Sequence, residues 1–343
     1  MEKRLKSIDS LRGVAILMVL LIHTTTRSLE ASGFNIVGFS WTLFLNQISR
    51  FAVPLFFILS GFVLELSYKN GMSFWSFVKK RFSRIFTPYL FWSGIYYLFV
   101  YTQNNDNFLR VILTGNASYQ LYFIPTLCIF YLMFPFLHRV YKFISNKVVL
   151  LVILGSQIYL LNFDYNVAKF EYSEPIHIAI LSYFFFLIGM VAARNVDKIN
   201  IWLGKWKTFL PVATLLSGLY VFWEGREKYL GTGNYLSYYS QWRPSILIYT
   251  LLIGLTFYYF FEFTGLKHSI VAKFSKYSFF VFFVHVAVLE AVWLLAGKNL
   301  FYLTNGVAGK FFFDPIFFGI VSLISFLIAF VLRKIPKSEK ILG

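Results

Sequence analysis

One cysteine, Cys128, in 343 residues excludes an internal disulfide and any cysteine-based metal site. Charge is scarce: 14% of the residues are Asp, Glu, Lys or Arg, against about a quarter in soluble domains. Acidic residues are scarcer still, with 15 Asp and Glu against 32 Lys and Arg and a net charge of +17. There is no internal repeat, no low-complexity tract and no linker long enough to separate domains. Neither a Walker A loop nor a Rossmann glycine fingerprint occurs. The His-x-x-x-Asp of soluble acyl-transfer enzymes is missing, as is any paired His/Cys metal spacing. No two carboxylates sit together deep in an apolar run, as they often do in proton-coupled transporters. The N-terminus has a basic stretch (Lys3, Arg4, Lys6) before its apolar core. No small-x-small cleavage site follows, so the core is expected to stay as a span rather than leave as a signal peptide.

What the chain does have is apolar length. Hydrophobic residues make up 58%, and aromatics 22%, with 43 Phe and 23 Tyr. A spanning helix needs about 20 largely apolar residues. Ten segments qualify: 8–26, 44–66, 85–101, 119–137, 147–163, 176–193, 207–223, 244–263, 277–296 and 314–332. The expected fold is an all-α polytopic bundle of about ten transmembrane helices in a single membrane domain over 1–343. Ten spans place both termini on one side. The segments on that side carry 22 Lys and Arg, the opposite segments carry 8, and Arg12 and Arg50 lie within spans. By the positive-inside bias both termini are cytoplasmic. The same bias accounts for much of the +17 with no nucleic-acid partner.

The opening span, "SIDSLRGVAILMVLLIHTTT", holds Asp9, Arg12 and His23. From Arg12 to His23 is eleven residue steps, about 20° past three full helical turns and about 16 Å along the axis. The two share one face but cannot touch. Asp9, three residues before Arg12, can neutralise it on that face. Ionisable groups in spans usually face a bundle interior or a polar cavity. This face therefore suits an anionic ligand held by Arg12 at the inner end, with His23 as a proton acceptor deeper in.

Arg50 opens the second span at a depth close to His23, where a nearby cation would favour neutral imidazole. In the same span Ser60 and Gly61 read as small packing residues, and Pro54 is expected to kink it. Arg81 and Arg84, three apart ahead of the third span, are helix neighbours able to grip a phosphate or diphosphate. His285 lies near the middle of the ninth span, with Glu290 beyond it. His138, His177 and His268 fall near span ends and receive no role.

In four places the chain resembles the acyltransferase 3 family of membrane proteins. "IDSLRGVAILMVLLIH" is similar to its opening helix, with Arg12 and His23 as the Arg-x10-His motif. "FFILSGF" matches Phe-Phe-x-x-Ser-Gly-Phe, "RFSR" matches Arg-x-x-Arg through Arg81 and Arg84, and "FSKYSFFVFFVHV" resembles the late span ending in His285. The resemblance implies transfer of an acyl group, most often acetyl, from cytoplasmic acyl-coenzyme A to a sugar hydroxyl of a cell-surface or exported glycan. Arg12, Arg81 and Arg84 would hold the coenzyme's phosphates, and His23 would deprotonate the acceptor. Asp9, Arg50, Ser60 and His285 would support the site, with no metal. Many relatives carry a C-terminal esterase-like domain, which this sequence does not show; a lipid-linked or membrane-proximal acceptor would then be favoured. Richness in Phe, Ile, Lys, Asn and Tyr points to an AT-rich bacterial genome, and with the spans the expected place is a bacterial cell membrane. The competing reading is a multi-span exporter of a glycan or anionic metabolite.

Overall fold

The computed structural model describes residues 2–33, 40–68, 71–101, 107–168, 175–232, 240–264, 270–304, 306–336 and 338–342. Lys69, Lys169, Lys267 and Lys337 of the charge count, and His268, lie outside the described residues. The described residues form helices and no strands, and each of the ten expected segments is mostly helix. Seven helical segments are long and apolar enough to cross a membrane: Lys6–Ala31, Trp41–Ser67, Lys147–Val167, Pro175–Arg194, Pro244–Phe263, Ser278–Leu303 and Gly309–Leu332. The apolar helix Phe123–Arg139 is shorter. The third expected segment falls across Phe74–Ile95 and Tyr96–Val100 and the seventh largely on Phe209–Thr232, outside those seven. Charge crowds one end of each long helix: Lys79, Lys80, Arg81 and Arg84 in Phe74–Ile95, Glu224, Arg226, Glu227 and Lys228 in Phe209–Thr232.

The second expected span is broken rather than kinked. One helix runs Trp41–Ile48, started by Ser40, whose hydroxyl accepts from the Leu43 amide. Ser49, Arg50 and Phe51 form a turn, and a new helix runs Ala52–Ser67. Pro54 is the third residue of that new helix. The first four amides of a helix have no partner within it, so the missing N–H costs nothing there. The proline therefore favours a fresh start over a bend.

Contacts gather into two compact units: 1–56 with 200–331, and 57–199 with 332–343. In the first unit the opening helix packs against Trp41–Ile48, Pro244–Phe263, Ile270–Ser275 and Ser278–Val292. It is the most enclosed of the seven candidate spans, with 72% of its apolar window buried, although it carries three ionisable groups. Gly13 makes the closest contact: a Cβ there would stand 2.1 Å from the Val271 carbonyl oxygen. Gly309–Leu332 is only 28% buried and presents Leu323, Leu327 and Phe330 outward, a surface suited to lipid.

In the second unit Phe123–Arg139 and Lys147–Phe163 both pack on Pro175–Arg194. Gly61 and Gly189 form a reciprocal contact. A Cβ on Gly61 would lie 2.1 Å from the Phe186 carbonyl oxygen, and one on Gly189 would lie 2.0 Å from that of Ile58. This is the packing expected of Gly61; Ser60 beside it is half-buried. Gly189→Ala should lower the thermal unfolding midpoint, since overpacking of this kind costs about 1–3 kcal/mol. Gly155→Ala, at a helical position with nothing within 4 Å, should leave the midpoint unchanged or raise it.

Candidate active site

The helical face predicted to carry the chemistry is the one left open in the first unit. On the opening helix Asp9, Arg12, His23, Thr26 and Arg27 are half-buried and Glu30 is exposed, while Ile16, Val19 and Leu20 between the two ends are buried. At 100° per residue the six polar positions fall within about 100° of arc. Arg12 Nη1 lies 3.1 Å from Asp9 Oδ1, the pair expected from their spacing. Ser275 joins them: Arg12 Nη1 donates to Ser275 Oγ at 3.5 Å, and Ser275 Oγ donates to Asp9 Oδ1 at 3.4 Å.

At the other end His23 meets His285, with ring centroids 5.2 Å apart and planes inclined by 34°. Arg12 thus faces Ser275 and His23 faces His285. Both pairings ascend in sequence, so the opening helix and the 270–292 region run side by side in the same direction. His285 is fully buried, and its Nδ1 lies 2.9 Å from the Val281 carbonyl oxygen. A carbonyl only accepts, so Nδ1 holds the proton of the neutral ring and Nε2 keeps a lone pair. That Nε2 is buried without a hydrogen-bond partner among the described residues.

Arg50, 5% exposed, lies within electrostatic reach of His23. Its Nε and Nη2 donate to Asn46 Oδ1 at 3.0 and 2.5 Å. Asn46 Nδ2 donates to the Ile22 carbonyl, Thr25 Oγ1 and Thr26 Oγ1 at 3.0–3.2 Å, which ties Arg50 to the turn carrying His23. Gln47 Oε1 in turn accepts from the fully buried Arg243 at 2.7 Å, and Arg243 Nη1 lies 3.3 Å from Glu224 Oε2.

The second unit holds the other predicted cations. Arg81 Nη2 donates to Ser67 Oγ at 2.6 Å, and its guanidinium lies 5.7 Å from the Phe77 ring centre. Burial lowers the Arg81 pKa, and the charge of Arg84 close by acts in the same sense. An anion bound between the two would relieve both effects. Arg84 is exposed. Among the described residues no group of His, Cys, Asp and Glu is placed to hold a metal ion.

Over residues 5–334 the chain matches the acyltransferase 3 family, described as an acyltransferase domain. The chain belongs to the acyltransferase 3 family. Comparison with curated proteins and with solved structures returns no match in either.

Two features of this membrane acyltransferase escaped the sequence reading. One is the chain from Arg50 through Asn46 and Gln47 to Arg243, whose distant member had counted only as a loop cation. The other is an ion cluster in the second unit around Glu65, which is 7% exposed. His138 Nδ1 lies 3.0 Å from Glu65 Oε1, and Arg194 Nε donates to the same oxygen at 2.5 Å. Tyr141 lies under the Arg194 guanidinium at 3.8 Å, and Tyr68 packs on His138 at 4.6 Å. The signal available was Glu65 itself, a carboxylate inside the apolar run "FVLELS" that needs a partner.

Asn46→Ala should strip Arg50 of its amide acceptor and leave a buried guanidinium under-satisfied. The expected loss is about 1–3 kcal/mol of stability, read as a lower midpoint. Turnover should fall with the acyl-donor KM unchanged.

Proposed function

We propose that this acyltransferase moves an acetyl group from cytoplasmic acetyl-coenzyme A to a hydroxyl of a cell-surface or exported glycan. It would work as a multi-pass protein of a bacterial cell membrane with both termini cytoplasmic. The observation that carries this reading is the opening helix: a half-open face with Arg12 paired to Asp9 at one end and His23 beside His285 at the other. Coenzyme A has phosphates at one end and its thioester on a long flexible arm. Arg12, Arg81 and Arg84 would hold the phosphates, and the arm would reach toward His23.

His23 takes the proton from the acceptor hydroxyl as that oxygen attacks the thioester carbonyl carbon. The C–O bond forms, the C–S bond breaks, and the departing thiolate takes the proton back from His23. The products are an O-acetyl ester and free coenzyme A. Asp9, Arg50, Ser60 and His285 support the site, and no metal takes part. Direct transfer is preferred to an acyl-histidine intermediate.

The test is free-thiol release from acetyl-coenzyme A by protein in lipid nanodiscs, with and without a crude glycan extract. Release that requires the extract, with label recovered in the glycan, supports the transferase. Glycan or anion flux through the protein with no coenzyme A present and no thiol released would support the exporter instead.

A further inference from the structure

The open face of the opening helix does not stop at His23. One turn further, Arg27 is held between two carboxylates, with Nη1 3.3 Å from Glu30 Oε2 and Nη2 3.4 Å from Glu290 Oε2. Its guanidinium is seated 5.1 Å from the centre of the buried Trp293 ring, which fixes its position. All three charged side chains keep access: 30% of Arg27, 42% of Glu30 and 22% of Glu290 is exposed. Both pairs are longer than the ~2.7–2.9 Å of a tight charge-assisted bond, so the carboxylates retain acceptor capacity. The same two helices meet again at His23 and His285, whose rings are 5.2 Å apart, four residues before Arg27 and five before Glu290, and His285 Nε2 is buried with no hydrogen-bond partner among the described residues. A fully buried acceptor with nothing to accept from is costly, and such groups call for an explanation.

We propose that His285 Nε2 and the Arg27–Glu30–Glu290 cluster form a binding subsite for a neutral, polyhydroxylated acceptor. This deepens the acyltransferase reading and rests on it for the meaning of "acceptor". Hydroxyl protons would be accepted by His285 Nε2 and the two carboxylates, and a hydroxyl oxygen would accept from Arg27. One positive and two negative side chains leave the cluster net negative. It therefore selects against acceptors carrying carboxylate or phosphate close to the reacting hydroxyl.

Saturation-transfer NMR on the full chain in nanodiscs tests this without turnover, with methyl β-D-glucoside and methyl β-D-glucuronide as probes. The glucoside should take up saturation and the glucuronide about ten-fold less. Glu290→Gln should weaken the glucoside signal about ten-fold, the loss expected for one charge-assisted hydrogen bond. The double change Glu30→Gln and Glu290→Gln should bring the two sugars to parity. A second pair of variants stands if those fail to fold. His285→Gln keeps an acceptor oxygen near the place of Nε2 and should retain the glucoside signal. His285→Asn keeps one only near Nδ1 and should lose it. Equal signals for the two sugars, no saturation of either, or a signal indifferent to Glu290 and His285 would overturn the subsite. Thiol release on the same samples separates the two readings: a sugar signal without it keeps the subsite and removes the transferase.

Discussion

His23→Ala should reduce acetyl transfer by about 10²–10⁴-fold, the range over which a positioned general base acts. The fall should appear in kcat, with the donor KM nearly unchanged. His23 stands about 16 Å along the helix from Arg12, too far to touch what Arg12 holds. The residue is half-buried rather than part of the fully buried core, so truncation removes little packing. The thermal midpoint should consequently move far less than the rate. Thiol release and coenzyme A binding, measured on one nanodisc preparation, check both halves of this expectation. Full turnover in the alanine variant would remove His23 from the chemistry and leave His285 as the base to test.

Changing Arg81 and Arg84 together to alanine should raise the donor KM by about 10²-fold. Each charge-assisted contact to a phosphate is worth about 1.5–3 kcal/mol, and neighbours three residues apart will not add fully. The sharper readout is a comparison of donors. Wild-type protein should prefer acetyl-coenzyme A to acetyl-pantetheine, which lacks the phosphates, and the double variant should lose most of that preference, keeping the share that Arg12 supplies. The kcat with saturating acetyl-pantetheine should be the same in both proteins, since binding shared by ground and transition states leaves kcat alone. Ser67→Ala, which removes only the 2.6 Å anchor of Arg81, should give a small part of the effect. An unchanged preference in the double variant would assign these arginines to anchoring at the membrane surface.

Much of this architecture was legible because apolar length and punctuation are local properties. The segment expected over 244–263 is the helix Pro244–Phe263, where the proline occupies the first turn. The Asp9–Arg12 pair follows from spacing alone. Pro54 was read as a kink because a proline inside an apolar run bends a helix; the turn at Ser49–Phe51 made it the start of a new one. The contact of His23 with His285 could not be read from the residue pattern, and only the family resemblance put His285 at the site. The contact depends on the register between two helices at opposite ends of the chain, which no periodicity encodes. Arg194 and Arg243 were hidden for another reason. A charge count that sets orientation treats every end-of-span cation as an anchor, yet one stacks on Tyr141 and the other is fully buried.

The pairing of Arg12 with Ser275, 263 residues later, also has a consequence for biosynthesis. The opening helix leaves the ribosome first and its same-direction neighbour almost last. At about 5–20 residues per second, the nascent helix waits tens of seconds before that partner exists. Through that interval Arg12 and His23 face lipid, translocon or insertase in place of their eventual neighbours. A chain of such high contact order assembles its centre late. Chains arrested before residue 270 should accordingly present Arg12 and His23 to the insertion machinery, detectable as crosslinks that vanish once 270–292 has been made.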